Sequence, residues 1–208
     1  MQNYTIGIDE AGRGPLAGPV SVGVAMVPSD FDWDLITGVN DSKKLTEKKR
    51  EEIFKIAKRL KKEGKLDYAV SLVGAKAIDT KGIVPSIATG MNRALKRLLK
   101  DPVINCSKES TDYKHIQVKL DGGLKAPEEF VNQETIIKGD SKEKVIGLAS
   151  IMAKVTRDRY MVRKSASPIF APYTFASHKG YGTKAHREAI AQYGLSLEHR
   201  KTFCKNIT

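Results

Sequence analysis

The chain has 208 residues, of which 40% are apolar, and this length and composition allow one substantial core. Lys and Arg outnumber Asp and Glu by 36 to 24, so the net charge is +12 and a polyanionic partner is predicted. No apolar run is long enough to span a membrane, and the N-terminus lacks a signal pattern, so we expect a cytoplasmic protein with no membrane partner. Cys106, Cys204 and the four histidines show no metal or redox spacing, so we interpret both cysteines as free thiols and do not expect a zinc enzyme.

The first predicted strand, residues 3–9, carries two adjacent acids at its end. Asp9 and Glu10 precede the turn Gly12-Arg13-Gly14, and a second strand is predicted over 18–27. Two carboxylates held close together repel each other unless a cation lies between them, and such hard oxygen ligands suit Mg²⁺ or Mn²⁺. The glycines let backbone N–H groups approach a ligand, and the arginine offers donors that suit phosphate. The alternative is a strand end followed by a plain turn.

Predicted strands and amphipathic helices alternate through the middle of the chain, which indicates an α/β fold. The first helix begins at the N-cap Thr46 and turns Ile53, Ile56, Ala57 and Leu60 inward, and a strand over 68–73 follows it. The second helix turns Val84, Ile87, Met91, Leu95 and Leu98 inward, and strands over 115–120 and 135–138 come next. The last helix, over 142–164, turns Val145, Leu148, Met152 and Val155 inward. On the last helix, Lys154 and Arg157 are predicted to be available at its side. Residues 101–114 are predicted to form a surface loop.

The basic face of the second helix has two interpretations. Arg93, Lys96, Arg97 and Lys100 lie opposite its apolar side. We interpret this face as a solvated surface, although it could also contact a phosphate backbone.

Two further acids follow predicted strands. Asp121 ends the strand over 115–120 and is followed by two glycines, and Asp140 lies in the turn after the strand over 135–138. If these strands are neighbours of the first one, all four carboxylates converge at one end of the sheet. Their mutual repulsion would be relieved by two divalent cations on a phosphodiester, one activating a water and the other stabilising the leaving oxygen. The spacing alone does not establish that the strands are neighbours.

Long motifs in this sequence resemble the ribonuclease HII family, the prokaryotic type 2 ribonucleases H. They are GIDEAGRGPLAGPV at 7–20, DSKKLTEKKRE at 41–51, LDG at 120–122, KGDSK at 138–142, LASIMAKVTRDRYM at 148–161 and HKGYGTKAH at 178–186. The resemblance covers essentially the whole chain. Small departures at Leu120 and at 147–150 affect packing beside the motifs and not their chemistry.

The resemblance implies a ribonuclease H-like α/β fold with a mixed central sheet flanked by helices and a helical C-terminal portion. Residues 1–208 would form a single catalytic domain, whose part from about 165 to 208 completes the substrate-binding face. The implied activity is hydrolysis of the RNA strand of RNA/DNA hybrids and cleavage at ribonucleotides embedded in duplex DNA, with Mn²⁺ or Mg²⁺ as cofactor and 3′-hydroxyl and 5′-phosphate ends. We expect a monomer and no tether to a replication clamp, because the C-terminus shows no clear clamp-binding motif.

The resemblance also implies roles for individual residues. Asp9, Glu10, Asp121 and Asp140 would be the catalytic, metal-binding acids. Gly12, Arg13 and Gly14 would recognise the ribose 2′-hydroxyl, and Tyr181 would pack on the sugar at the RNA–DNA junction. Lys43 and Lys154 would contact phosphates, with the alternative that Lys154 only pairs with Asp158 four residues on.

Two alternatives to this interpretation stay open. A nuclease of the same fold could act on DNA junctions with the same acids, although Gly12-Arg13-Gly14 together with Tyr181 argues against it. A basic RNA-binding or ribosome-associated protein would fit the charge of +12. Acids at strand ends would repel phosphate in such a protein unless a metal were bound. Dependence of activity on a divalent metal separates these alternatives.

Overall fold

A mixed five-stranded sheet forms the centre of the computed structural model, which describes residues 3–40, 42–99 and 113–207. The strands are β1 (Tyr4–Ala11), β2 (Val20–Pro28), β3 (Asp67–Val73), β4 (Ile116–Asp121) and β5 (Gln133–Ile136). Their order across the sheet is β3-β2-β1-β4-β5. Strand β2 is antiparallel to both β1 and β3, whereas β4 is parallel to both β1 and β5. The predicted mixed sheet is therefore confirmed, with β1 as its central strand.

Helices cover both faces of this sheet. They are α1 (Glu47–Lys62), α2 (Ala75–Lys81), α3 (Ile83–Leu98), α4 (Gly139–Lys142), α5 (Lys144–Ser165), α6 (Phe175–His178) and α7 (Lys184–Tyr193). The Thr46 hydroxyl accepts a hydrogen bond from the backbone N–H of Lys49, so the predicted N-cap of α1 is confirmed. No helix of the described residues is long and apolar enough to cross a membrane.

The central strand packs differently on its two faces because its residues alternate. Ile6 and Ile8 join the buried apolar cluster that contains the inner side of α3. The opposite face presents Gly7 of β1 and Gly23 of β2 to α5, where an added Cβ would lie 2.3 and 2.2 Å from main-chain atoms of the helix. Glycine at these positions lets α5 lie directly on the sheet, so this helix passes close to the end of β1 that carries the acids.

The C-terminal segment forms a third apolar cluster against the loop after β1. Its buried members include Leu16, Met161, Phe175 and Cys204. Backbone hydrogen bonds join the loop to this segment: the N–H of Leu16 donates to the carbonyl of Gly180 at 2.9 Å. The C-terminal residues thus hold the loop that follows the acids, and the predicted helical C-terminal portion is present as α6 and α7.

Several predicted element boundaries are wrong. Strand β5 ends at Ile136, and Ile137 is 74% exposed, because the backbone turns into a left-handed residue at Lys138, with φ of 57°. The predicted helix over 142–164 is confirmed as α5, which begins two residues later, because Glu143 is extended between it and the short helix α4. Helix α2 was not predicted from the sequence.

Two predicted side-chain positions are wrong, whereas Ile56, although only partly buried, packs against the core as predicted. Val84 is exposed in the first turn of α3, where Ile83 packs on the core instead. Arg157 is fully buried rather than available at the side of α5, because it faces main-chain carbonyls of the loop after β1.

Some predictions concern residues outside the described ranges. These are Asp41, Lys100, Cys106 and most of the predicted loop over 101–114. Within the described residues, Cys204 is a buried free cysteine, and Arg93, Lys96 and Arg97 are exposed as expected for a solvated face of α3.

Candidate active site

The sheet register brings the first and third predicted acids together. The parallel pairing of β1 with β4 ends with Ile8 opposite Leu120, so Asp9 and Asp121 are the next residues of neighbouring strands. Neighbouring strands lie about 4.8 Å apart, and residues in register point to the same face. The Asp9 side chain faces α5 and accepts a hydrogen bond from the Ser150 side chain.

The fourth acid is brought in by the turn after β5. The backbone N–H of Gly139, the first residue of α4, donates to Asp121 Oδ1 at 2.7 Å. This bond ties the short helix to the end of β4, and Asp140 follows directly, buried at 5% exposure. The structure therefore brings Asp9, Glu10, Asp121 and Asp140 to one end of the sheet.

The carboxylates at this end repel one another. The pKa of Asp9 is raised to about 8, chiefly by burial; the hydrogen bond from Ser150 opposes this increase, and the charges of Glu10 and Asp121 add to it. Burial also raises the pKa of Glu10, while the nearby Arg13 lowers it. The charges of Glu10 and Asp121 thus act on the buried Asp9, and the charged form of Asp9 is disfavoured in the absence of a cation.

Two basic side chains border the acids. Arg13 Nη1 lies 3.1 Å from Glu10 Oε1, and Lys43 Nζ lies 3.8 Å from Asp140 Oδ2. The Lys43 side chain is 78% exposed, so it reaches into solvent beside the carboxylates. Both side chains partly neutralise the acids, and both are placed where a phosphate could compete for them.

The donor chemistry at this end fits a divalent cation, although the acids do not form a closed cage. Within residues 3–40, 42–99 and 113–207, no group of three or more His, Cys, Asp or Glu side chains is arranged to hold a metal ion. Carboxylate oxygens are nevertheless the ligands that Mg²⁺ and Mn²⁺ prefer, and the raised pKa of Asp9 shows that this carboxylate lacks a compensating charge.

The loop after β1 is held from behind by two buried arginines. Gly12 has a φ of 88°, and an added Cβ there would lie 2.0 Å from Arg157 Nε, so both the backbone angle and the close approach require glycine. Arg157 donates to the carbonyls of Ala17 and Pro19. Arg200 donates to further carbonyls of the same loop, those of Gly12, Arg13 and Gly18. Arg13 and Gly14 remain exposed at the tip of the loop.

Tyr181 lies beside this loop with its ring accessible. The residue is 43% exposed, and Lys154 Nζ and the Arg157 guanidinium carbon lie 5.8 and 5.7 Å from the ring centroid. Lys154 Nζ also donates to Asp158 Oδ1 at 2.7 Å, so the pairing considered as its alternative role is present. The Tyr181 carbonyl accepts a hydrogen bond from His186 Nδ1 at 2.9 Å, which fixes the backbone beneath the ring.

Sequence reasoning missed residues that support the site. Arg157 is spaced by four from the buried residues Ala153 and Met161 of α5, and this periodicity could have shown that it points inward. Arg200 lies outside any regular helix or strand, and no local pattern in the sequence indicated that it would reach the loop after β1.

Histidines form a second feature that sequence spacing did not show. His178, His186 and His199 lie together in the C-terminal segment, with ring centroids 4.3 Å apart for the first pair and 5.2 Å for the second. Burial lowers the pKa of His186 and of His199 to about 4 in each case. His186 and His199 are therefore neutral at physiological pH.

Comparisons with known proteins show the family to which the sequence belongs. The family model described as Ribonuclease HII matches residues 6–206. The Ribonuclease HII of Clostridioides difficile (strain 630) is 44% identical over 204 residues, which cover 98% of this chain and 71% of that protein. The Ribonuclease HII of Fusobacterium nucleatum is 44% identical over 203 residues, covering 97% of this chain and 86% of that protein.

Solved structures show the same fold. The ribonuclease H2 from Pyrococcus horikoshii OT3 superposes with a TM-score of 0.66 at 25% identity, over 98% of this chain and 96% of that chain. The PCNA:RNase HII complex from Archaeoglobus fulgidus contains a chain with a TM-score of 0.67 at 26% identity, over 95% of this chain and 93% of that chain.

The fold and the site together define the class of protein: an α/β nuclease with a ribonuclease H-like fold. It is a ribonuclease H, a metal-dependent endonuclease. More particularly, the chain belongs to the ribonuclease HII family.

Proposed function

We propose that this protein hydrolyses the RNA strand of RNA/DNA hybrids and cleaves duplex DNA at embedded ribonucleotides. The observation that supports this most directly is the convergence of Asp9, Asp121 and Asp140 beside an exposed glycine-rich loop. The acids offer a site for phosphodiester hydrolysis, and the loop offers backbone groups that can read a sugar. The 2′-hydroxyl is the one group that distinguishes RNA from DNA at a nucleotide, so such a reader gives selectivity.

The four carboxylates are the proposed catalytic and metal-binding residues. Asp9, Glu10, Asp121 and Asp140 would hold a pair of Mg²⁺ or Mn²⁺ ions, whose chemistry is to activate a water and to stabilise the leaving oxygen. The protein's own contribution is positional. The Ser150 hydroxyl orients Asp9, and the N–H of Gly139 orients Asp121.

The proposed substrate contacts divide into sugar and phosphate contacts. Gly12, Arg13 and Gly14 would hold the 2′-hydroxyl, and the exposed ring of Tyr181 would pack on the next sugar. Lys43 and Lys154 would contact phosphates. The geometry favours Lys43 for this role, because it is the more exposed of the two and Lys154 is already paired within its helix.

We further propose that residues 1–208 act as one catalytic domain and as a monomer. The segment from about 165 to 208 contributes to the substrate face in this proposal, since it carries Tyr181 and supports the loop after β1. The net charge of +12 supports binding of a polyanionic duplex.

The test is cleavage of a duplex that contains one ribonucleotide, mapped to the nucleotide, with all-DNA and all-RNA duplexes and a continuous RNA/DNA hybrid alongside. We expect cleavage of the single-ribonucleotide duplex and of the hybrid only when Mg²⁺ or Mn²⁺ is present, with 3′-hydroxyl and 5′-phosphate ends. Equal cleavage of the all-DNA duplex would indicate a DNA nuclease instead. A 2′,3′-cyclic phosphate product would show that the ribose, and not water, is the nucleophile.

A further inference from the structure

We propose that Arg200 is a positioning residue that fixes the direction of the peptide groups in the loop Gly12-Arg13-Gly14. The loop then presents N–H donors, and not carbonyl acceptors, to the nucleotide. The inference rests on the proposed function, because it says how the loop would read a ribose. It assigns a task to a residue that lies far from the acids in sequence and does not itself touch the substrate.

The Arg200 guanidinium uses its fork of donors on three carbonyls of one loop. Its Nη2 donates to the carbonyl of Gly12 at 2.7 Å, its Nη1 to that of Arg13 at 3.0 Å, and its Nε to that of Gly18 at 2.9 Å. The side chain is fully buried. Within the described residues it donates only to main-chain carbonyls, so all of these hydrogen bonds hold the backbone of this loop.

The direction of two carbonyls determines the direction of two N–H groups. In a planar trans peptide, the C=O of one residue and the N–H of the next point in opposite directions. The carbonyls of Gly12 and Arg13 point inward to Arg200, so the N–H groups of Arg13 and Gly14 point away from it. Both residues are exposed, and neither of these N–H groups donates a hydrogen bond within the described part of the chain.

Two N–H donors that point away from Arg200 at an exposed loop tip suit an oxygen acceptor. The 2′-oxygen of a ribose is such an acceptor, and a phosphate oxygen is another. A flipped loop would instead present the carbonyls of Gly12 and Arg13, which repel a phosphate and require a hydroxyl proton. Arg200 therefore selects one of two loop orientations that the glycines alone would both allow.

Lysine could not replace this arginine in the proposed role. The guanidinium is a planar fork that spans several acceptors at once, whereas an ammonium is a compact point charge. An Arg200→Lys protein keeps the positive charge but cannot hold the three carbonyls in the same arrangement. The substitution thus distinguishes the effect of peptide-group orientation in the loop from the effect of net charge.

The test measures binding to two duplexes that differ at one 2′ position. The cleavage-inactive Asp121→Asn protein is titrated with duplex DNA containing one ribonucleotide and with the matched all-DNA duplex, with and without Arg200→Lys. We expect Arg200→Lys to reduce the ribo-over-deoxy preference by about tenfold, the worth of roughly one or two hydrogen bonds, with unchanged affinity for the all-DNA duplex. A purely structural role would weaken both affinities together, and an unchanged preference would also overturn the proposal.

The control is Arg97→Lys, because Arg97 is an exposed arginine that donates one bond to the Val70 carbonyl on α3's side of the molecule. It should leave both affinities unchanged. If the parent protein itself shows no ribo-over-deoxy preference, the proposed function fails, whereas a preference that survives Arg200→Lys removes only the role of Arg200.

A second measurement does not depend on the folding of the variant. In the protein with Arg200 intact, the amide proton resonances of Arg13 and Gly14 should shift downfield with the single-ribonucleotide duplex and shift less with the all-DNA duplex. Equal shifts with both duplexes would assign these donors to a phosphate. No shift with either would show that the N–H groups do not meet the nucleotide, and either result overturns the proposal.

Discussion

The acid end of the sheet, with Asp9, Glu10, Asp121 and Asp140, differs from the loop region, which is the loop after β1 with Arg157, Arg200 and Tyr181. The two regions differ in how their charged and polar groups are balanced. At the acid end, Asp9 and Asp121 lie side by side with a raised pKa for Asp9. In the loop region, the buried Arg157 and Arg200 donate to five carbonyls of the loop after β1, and a histidine holds the Tyr181 backbone. The first region carries charge in excess, whereas in the second region these main-chain carbonyls are paired with buried guanidinium groups.

Because of this difference, the acid end needs a cation to become stable, whereas the loop region does not. Repelling carboxylates gain stability when a divalent ion joins them, so the acid end is completed by its cofactor. Carbonyls held by buried guanidinium groups keep their direction without any ligand, so the loop region is preorganised. We therefore expect chemistry to depend strictly on the acids and metal, and selectivity to depend on the clamped loop.

The largest expected effect is that of Asp121→Asn on cleavage. The Asn side-chain oxygen can still accept the hydrogen bond from the Gly139 N–H, so the fold should persist while one anionic ligand is lost. We expect cleavage of the single-ribonucleotide duplex to fall by about a thousandfold or more, with a melting temperature in EDTA that is not lowered. Steady-state kinetics and thermal unfolding measure the two quantities.

The control for Asp121→Asn is Asp34→Asn, which should leave cleavage unchanged because Asp34 is exposed in the 3-10 helix Trp33–Ile36 between β2 and α1. Retention of most activity in Asp121→Asn would place the reaction elsewhere than at the end of β4.

The next effect concerns pH and the stability of the metal-free protein. Burial raises the pKa of Asp9 from 3.8 to about 8, so the folded state binds this proton more tightly than the unfolded state does. The stability associated with that proton is complete below about pH 4 and is lost as the pH rises to about 8. In EDTA at pH 9, Asp9→Asn should therefore be more stable than the parent by ~2–5 kcal/mol, with little difference at pH 4.

Chemical denaturation across this pH range measures the difference, and saturating Mg²⁺ should reduce it by stabilising only the parent. A stability difference that does not vary with pH would mean that Asp9 is not the strained acid of the site.

A smaller effect is expected at Tyr181, on the loop side of the comparison. Tyr181→Ala should lower cleavage of the single-ribonucleotide duplex by about 5- to 100-fold, because a stacking contact is worth ~1–3 kcal/mol. Tyr181→Phe should keep most of the activity if the ring face is what contacts the sugar. Metal affinity, measured by calorimetry, should not change in either protein.

Equal losses in the Phe and Ala proteins would assign the role to the hydroxyl group. No loss in either would make Tyr181 an ordinary exposed residue, and the loop region would then read the substrate through the glycine-rich turn alone.

The smallest effect is expected at Lys43, which lies beside Asp140 at the acid end of the sheet. Lys43→Ala should weaken binding of cleavable and all-DNA duplexes by similar, few-fold amounts and lower the log–log salt slope by roughly 0.9, because a phosphate contact carries no sugar information. Lys96→Ala, on the solvated face of α3, is the matched control and should change neither quantity. A loss confined to the ribonucleotide duplex would contradict a phosphate role for Lys43.

The same comparison explains what could be predicted from sequence. Asp9, Asp121 and Asp140 were visible because an acid after an apolar strand is a local pattern, and the parallel neighbours β1 and β4 then bring two of them together. The arrangement of the loop region depends on contacts between residues far apart in the chain. Arg200 reaches Gly12 across 188 positions, and no periodicity encodes such a contact. The predicted end of β5 was wrong because the backbone becomes left-handed at Lys138, a conformation that the apolar pattern of the strand does not indicate.

The most direct test of the central claim is binding without metal. The affinities of the cleavage-inactive Asp121→Asn protein for the single-ribonucleotide duplex and for the all-DNA duplex would be measured in EDTA and again with Mg²⁺. A preorganised loop predicts that the preference for the ribonucleotide is already present in EDTA and that Mg²⁺ strengthens both affinities by a similar factor. A preference that appears only when Mg²⁺ is added would contradict the account, because selectivity would then belong to the acid end and not to the clamped loop.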